Sequence, residues 1–160
     1  MQDRNDTPVL ELVTERLIDA PVTAVWRAYT HHLSEWFCPV PWRAEVVAMD
    51  LRAGGRSAVT MYGPEGEVMP NEGVYLEVVP ERRIVFTDAF THGWTPAGPF
   101  MVGTFEFEPE GDRTHYRGTA RHWTAEAKDR HEAMGFAEGW GKVAEQWEAV
   151  AKRIAGQATA

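Results

Sequence analysis

The chain has 160 residues, with 24 acidic against 16 basic side chains and a formal net charge of −8. Its basic residues are scattered, which argues against nucleic acid or an anionic membrane as the main partner, and no apolar run reaches the length of a membrane span. A single cysteine, Cys38, excludes an intrachain disulfide and a cysteine-built zinc site.

The length suits one domain, expected over residues 9–155 between a frayed start at 1–8 and a tail at 156–160. With no charged-then-apolar leader, the expected location is cytoplasmic. Val9 to Ile18 reads as a strand with Leu10, Leu12 and Ile18 on one face. Pro21 suits the first turn of a helix, and Val22, Val25, Trp26 and Tyr29 give that helix an apolar face. A second short helix is predicted from His32 to Phe37, broken by the run Cys38-Pro39-Val40-Pro41-Trp42.

From Arg43 to Trp123 the pattern predicts six strands, near 43–50, 56–62, 72–79, 83–90, 100–108 and 114–123. Turn-like Gly/Pro clusters separate them, and their short connections favour antiparallel neighbours. The inward phase is read as Val59 and Met61, then Val74, Leu76 and Val78, then Ile84 and Phe86 continuing to Asp88, then Met101, Phe105 and Phe107. On the last strand Tyr116, Gly118, Ala120 and His122 share the inward phase, where the small residues would leave volume.

Thr124 to Ile154 is predicted as one long helix. Phe136, Trp140, Val143, Trp147, Val150 and Ile154 fall at spacings of four, three, four, three and four, a core-facing stripe. Thr124 is the expected N-cap and Gly156 the expected stop. Glu126 with Arg130, Glu138 with Lys142, and Glu148 with Lys152 are expected pairs on a solvated face. Gly135, Gly139 and Gly141 are anomalous there, each costing about 1 kcal/mol relative to Ala; packing, a bend or ligand space would each account for them. The sum is an α+β helix-grip arrangement: a curved seven-stranded antiparallel sheet wrapped on a long C-terminal helix, with two short helices after the first strand.

Several ordered pieces carry a family resemblance: Ile18-Asp19-Ala20-Pro21 with Val25-Trp26, Trp36-Phe37-Cys38-Pro39, Asp50-Leu51-Arg52-Ala53-Gly54-Gly55-Arg56, Gly73 to Pro80, Ile84-Val85-Phe86-Thr87, and Met134-Gly135-Phe136-Ala137-Glu138-Gly139-Trp140. Over residues 10–155 the chain resembles the heat-shock-protein-90 ATPase activator-like branch of the START-like, or SRPBCC, superfamily. The resemblance implies the helix-grip fold and an apolar cavity. The superfamily includes lipid carriers, hormone receptors, polyketide cyclases and oxygenase domains, so it does not imply one activity. Asp88 stands where the family often has an aromatic, and Val143 and Trp147 replace usual leucines. The additional amino-terminal domain of the eukaryotic activator has no counterpart in this sequence, which weighs against direct chaperone activation.

Asp88 is the first candidate for chemistry, since a carboxylate facing an apolar cavity must be paired, hydrated or protonated; the alternative is a solvated strand end. His122 could complete a carboxylate–imidazole pair with it, against a structural role. The other histidines show no metal-ligand spacing, so neither a metal nor a cofactor is expected. Trp36, Phe37, Trp42 and Trp94 lie in irregular stretches that could line a cavity mouth or seal the core. Of Tyr62, Tyr75 and Tyr116, only Tyr116 is on the inward phase. Cys38 reads as a packed thiol, with a Cys–His nucleophile involving His31 or His32 as the alternative.

The leading functional expectation is a domain binding a hydrophobic or aromatic small molecule between sheet and helix. Its wall would comprise Trp36, Phe37, Val59, Met61, Leu76, Phe86, Phe105, Tyr116, Gly118, Ala120, Gly135, Phe136, Gly139, Trp140 and Val143. The alternatives are a cyclase, dehydratase or hydrolase using Asp88 and His122, and a chaperone-interacting stress-response protein. A chaperone and a second copy of the chain stay open as partners.

Overall fold

Strand-forming alternation and a helical stripe meet around one aromatic core. The computed structural model describes residues 10–158, so the start expected to fray lies outside the described residues. Strand β1 (Glu11–Ile18) leads through Pro21 into α1 (Val22–His32), which continues into a single 3-10 turn at Leu33–Glu35. Strands β2 (Arg43–Met49), β3 (Arg56–Tyr62), β4 (Val68–Val79) and β5 (Arg83–Thr87) follow. A small ribbon of β6 (Phe90–Thr91) and β7 (Thr95–Pro96) precedes β8 (Val102–Glu110) and β9 (Arg113–Arg121). The main sheet has seven strands in the order β1-β9-β8-β5-β4-β3-β2, and all its pairings are antiparallel.

The predicted long helix is two helices. Thr124 is the N-cap, its hydroxyl accepting the Ala127 N–H, but it caps a short polar helix, α2 (Ala125–Ala133), not the apolar one. Gly135, at φ +93°, turns the chain into α3 (Phe136–Ala158). Only glycine enters this left-handed region without steric cost, so the residue read as a helix-interior anomaly is the hinge between two helices. Helix α3 also runs through Gly156, which does not stop it.

The apolar stripe of α3 packs on α1 and the sheet. Trp147 is fully buried and stacks on Trp36 with ring centroids 4.1 Å apart and planes within 9°. Each indole N–H is satisfied by α1, Trp147 donating to the Val25 carbonyl at 3.0 Å and Trp36 to that of Ala28 at 2.9 Å. Gln146, on the same helix, accepts the Val40 N–H and donates to the Trp36 and Cys38 carbonyls. One side chain thereby secures the proline-broken loop that neither helix nor strand could order.

The outer face of α3 differs from its expected charge pairing. Lys142 meets Glu145, and Lys128 of α2 meets Glu132. Glu148 turns to β1, accepting from Arg16 at 2.8 Å and from the Asp19 N–H at 2.7 Å. Burial opposes ionisation of Glu148, but these two partners outweigh it and hold its pKa below the ordinary carboxylate value.

In β4 the inward phase is corrected by a register shift between Tyr75 and Glu77. The shift puts Gly73 and Tyr75 inward before it and Val78 after it, leaving Leu76 off the cavity wall. A bulge inserts one residue and flips the alternation.

Trp147→Ala is expected to cost about 3–5 kcal/mol, read from urea unfolding, because it removes the stack and a buried hydrogen bond together. Gly135→Ala is expected to cost about 1–2 kcal/mol from the left-handed backbone alone, with the ends of α2 and α3 showing the loss first in amide exchange.

Candidate functional site: a cavity between sheet and helices

Between the concave sheet, α3 and α2 lies a cavity of about 600 Å³. Its floor is aromatic: Tyr29, Trp36, Phe105, Tyr116 and Trp147 are all buried. Four of the six methionines, Met61, Met69, Met101 and Met134, line it, and Met69 and Met134 are exposed at its rim. Thioether chains adapt their rotamers to what they meet, so this wall is apolar without being rigid. The size falls within the range of small-molecule sites, about 300–1,000 Å³.

Of the residues expected around it, Trp36, Phe37, Val59, Met61, Phe86, Phe105, Tyr116, Gly139, Trp140, Val143 and Asp88 lie on this wall. Leu76, Gly118, Ala120, Gly135, Phe136 and His122 do not. Leu76 is displaced by the β4 bulge, and Gly135 is spent on the hinge. Phe136 stands behind the wall, its ring against His131 and Trp140. Gly118 is filled from its own strand, since a Cβ there would collide with the Tyr116 hydroxyl. Gly103 is likewise filled by the Phe86 ring. Ala120 is fully buried away from the wall. By contrast, apart from its chain neighbours and the backbone of its own helix, nothing lies within 4 Å of the place a Cβ would take at Gly139, so this glycine contributes open volume. Trp94 covers Gly54 instead of the mouth, standing 2.8 Å from the position of a Cβ there.

Sequence reasoning missed Tyr29, Ser57, Met69, Asn71, Gly73, Arg130, His131 and Met134. Tyr29 was visible as a helix-face residue; Met69 and Asn71 precede residue 72, where the strand was expected to begin, Gly73 was hidden by the bulge, and Arg130, His131 and Met134 fall in the polar stretch before the Gly135 turn, which carries no apolar stripe. The Tyr29 hydroxyl is 3.2 Å from that of Tyr75, and burial, with the neighbouring Tyr75, raises the Tyr29 pKa. Tyr116 is raised by burial alone. These phenols stay protonated at neutral pH.

Asp88 and His122 are not joined in a pair. Asp88 Oδ1 accepts the N–H groups of Phe100 at 2.8 Å and Met101 at 3.2 Å, pinning the entry to β8. His122 Nε2 lies 2.9 Å from Nδ1 of His131 on α2, and both rings are buried, with the Phe100 ring against each. Burial, aided by the neighbouring His122, pushes the His131 pKa down to about 4. The Cys–His alternative also fails: burial raises the Cys38 thiol, while His31 is bonded to Thr30 and His32 to Glu35. Among the described residues no three His, Cys, Asp or Glu side chains group as metal ligands, and no helix is long and apolar enough to cross a membrane.

A seven-stranded sheet gripping a C-terminal helix around an apolar cavity defines a START-like domain. The family model described as "Activator of Hsp90 ATPase homolog 1-like protein" matches residues 19–152, and the chain belongs to this family. A crystal structure from Nitrosomonas europaea is 38% identical, covering 89% of this chain and 94% of that one, with a TM-score of 0.83. One from Mycobacterium smegmatis is 27% identical over 92% and 93%, with a TM-score of 0.76. A solution structure from Arthrobacter aurescens, 24% identical over 92% and 90% with a TM-score of 0.79, shares the fold. No curated protein matches the chain.

Because His131 is neutral when folded but takes a proton readily when unfolded, its contribution to stability is complete above its ordinary pKa of 6.5 and falls as pH drops from there towards about 4. Urea midpoints measured at pH 7 and pH 5.5 should show this loss, and His131→Gln should shrink the difference.

Proposed function

We propose that the protein is a binding domain for a small, mainly apolar molecule held between the sheet and α3. The cavity carries this reading: burial of aromatic and methionine surface would drive association at about 25 cal/mol per Å² of apolar area removed from water, and the wall is already largely formed. The open space at Gly139 supports it further. A helix-interior glycine that answers no steric contact costs stability, and here it adds volume where a ligand would lie. The fold itself assigns no chemistry, and the separate engagement of Asp88 and His122 favours binding over acid–base catalysis by that pair.

The test uses a neutral solvatochromic dye such as Nile red, together with native mass spectrometry of the freshly purified chain. The dye should bind with a blue-shifted emission, and an apolar ligand held at 100 times its Kd should add about 2.7 kcal/mol of stability. Gly139→Phe should fill the space and weaken dye binding at least tenfold, about 1.4 kcal/mol, while the variant remains folded by circular dichroism. Gly139→Ala should instead stabilise the free protein by up to about 1 kcal/mol. Dye binding unchanged by Gly139→Phe would place the apolar site elsewhere.

A further inference from the structure

The polar groups on the cavity wall fall into two sets. Its carboxylates are engaged, Asp88 by two backbone N–H groups and Glu72 by Arg56. Tyr29 is bonded to Tyr75. The Arg130 guanidinium, His131 Nε2 and the Tyr116 hydroxyl have no protein partner among the described residues, yet all three residues line the cavity. Hydrogen-bond donors thus stand free at the α2 end of the cavity, while Oδ1 of Asp88 and the Glu72 carboxylate already have partners.

The direction of the His131 ring follows from its partner. His122 Nδ1 is buried with no hydrogen-bond partner. An orphaned buried N–H is among the rarest arrangements in folded proteins, so this nitrogen carries the lone pair and the proton of His122 sits on Nε2. His122 then donates to Nδ1 of His131 across 2.9 Å. That leaves His131, kept neutral by burial, with its single proton on Nε2. His131 therefore offers the cavity a donor. The guanidinium of Arg130, the preceding residue of α2, adds a positive charge at the exposed edge. The wall between His131 and the floor is continuous aromatic surface, Trp140 contacting His131 at 6.1 Å and Phe105 at 5.9 Å between ring centroids.

Resting on the binding-domain reading, we infer that the occupant is an amphipathic organic acid: its carboxylate is held by His131 Nε2–H and the Arg130 guanidinium, and its apolar body lies along Trp140, Phe105 and Val143. Glu72 is engaged by Arg56 and Oδ1 of Asp88 by two backbone N–H groups, whereas the groups left free at the α2 end of the cavity are donors. An anion meets donors that are free, and a charge-assisted hydrogen bond is about twice as strong as a neutral one.

The test is calorimetric titration of the full chain at pH 7.5 with two matched pairs, 1-naphthaleneacetic acid against its methyl ester and dodecanoic acid against its methyl ester. At least one acid should bind ten or more times tighter than its ester. Arg130→Gln and His131→Phe should each cut that preference severalfold. Esters binding as well as acids, or a preference that survives both substitutions, overturns the inference. If none of the four binds while the neutral dye does, the acid assignment falls and the cavity reading stands; if the dye fails too, both fall. Because His131 also seats α2, a wild-type measurement runs alongside. Nitrogen-15 shifts should show His131 protonated on Nε2 and unprotonated on Nδ1, with Nε2 moving on addition of acid. A proton on Nδ1 instead overturns the donor argument.

Discussion

The stacked pair of Trp36 and Trp147 is the contact on which the other elements depend. It joins the irregular loop after α1 to the middle of α3, and both indole N–H groups are returned to α1 carbonyls. A buried indole without a partner would cost about 1–3 kcal/mol, so the two rings can occupy this place only if α1, the loop and α3 arrive together. Gln146 then binds the same loop through three hydrogen bonds. The floor of the cavity is consequently held by several elements at once. Tyr29, Phe105, Phe107 and Tyr116 pack around Trp147, and none can move without disturbing the stack.

The opposite end is built differently. Helix α2 buries only His131, and it rests on α3 and β1. Its attachment comes from the Thr124 cap, the Gly135 turn and the imidazole contact to His122. Exposed methionines share this rim. The cavity therefore has a fixed aromatic floor and a rim whose seating depends on a few polar contacts, with Gly139 supplying volume between them.

Much of the fold was legible because it is written in period and punctuation. The six-residue stripe on α3, the Gly/Pro turns between strands and Pro21 before α1 are local signals of burial and backbone geometry. The failures occur where one residue changes phase. Gly135 looked like a costly helix residue because its positive φ cannot be seen in a sequence, and the polar text of α2 offered no stripe of its own to show the break. The β4 bulge reversed the alternation after Tyr75 and moved a tyrosine into the core in place of Leu76. At the site, the inward phases of Asp88 and Tyr116 were readable, but their partners were not. Asp88 is answered by backbone groups of a loop, which carry no residue-type signal. His122 is answered by a histidine nine positions on, across a connection whose geometry depends on Gly135.

That last contact couples the site to the fold. The His122–His131 hydrogen bond seats α2, and the ring that it orients presents its other nitrogen to the cavity. A hydrogen-bond acceptor placed on Nε2 of His131 makes the imidazole richer in electrons at Nδ1, and Nδ1 is the atom receiving the His122 proton. Hydrogen bonds in such a chain polarise one another, each strengthening its neighbour in a low-dielectric interior. An occupant bonded to His131 would therefore tighten the contact that holds α2 in place, and a well-seated α2 would hold the donor in position for the occupant. Binding at the cavity and the seating of α2 are, on this geometry, two ends of one hydrogen-bonded chain, with the unpartnered nitrogen of His122 marking where that chain stops.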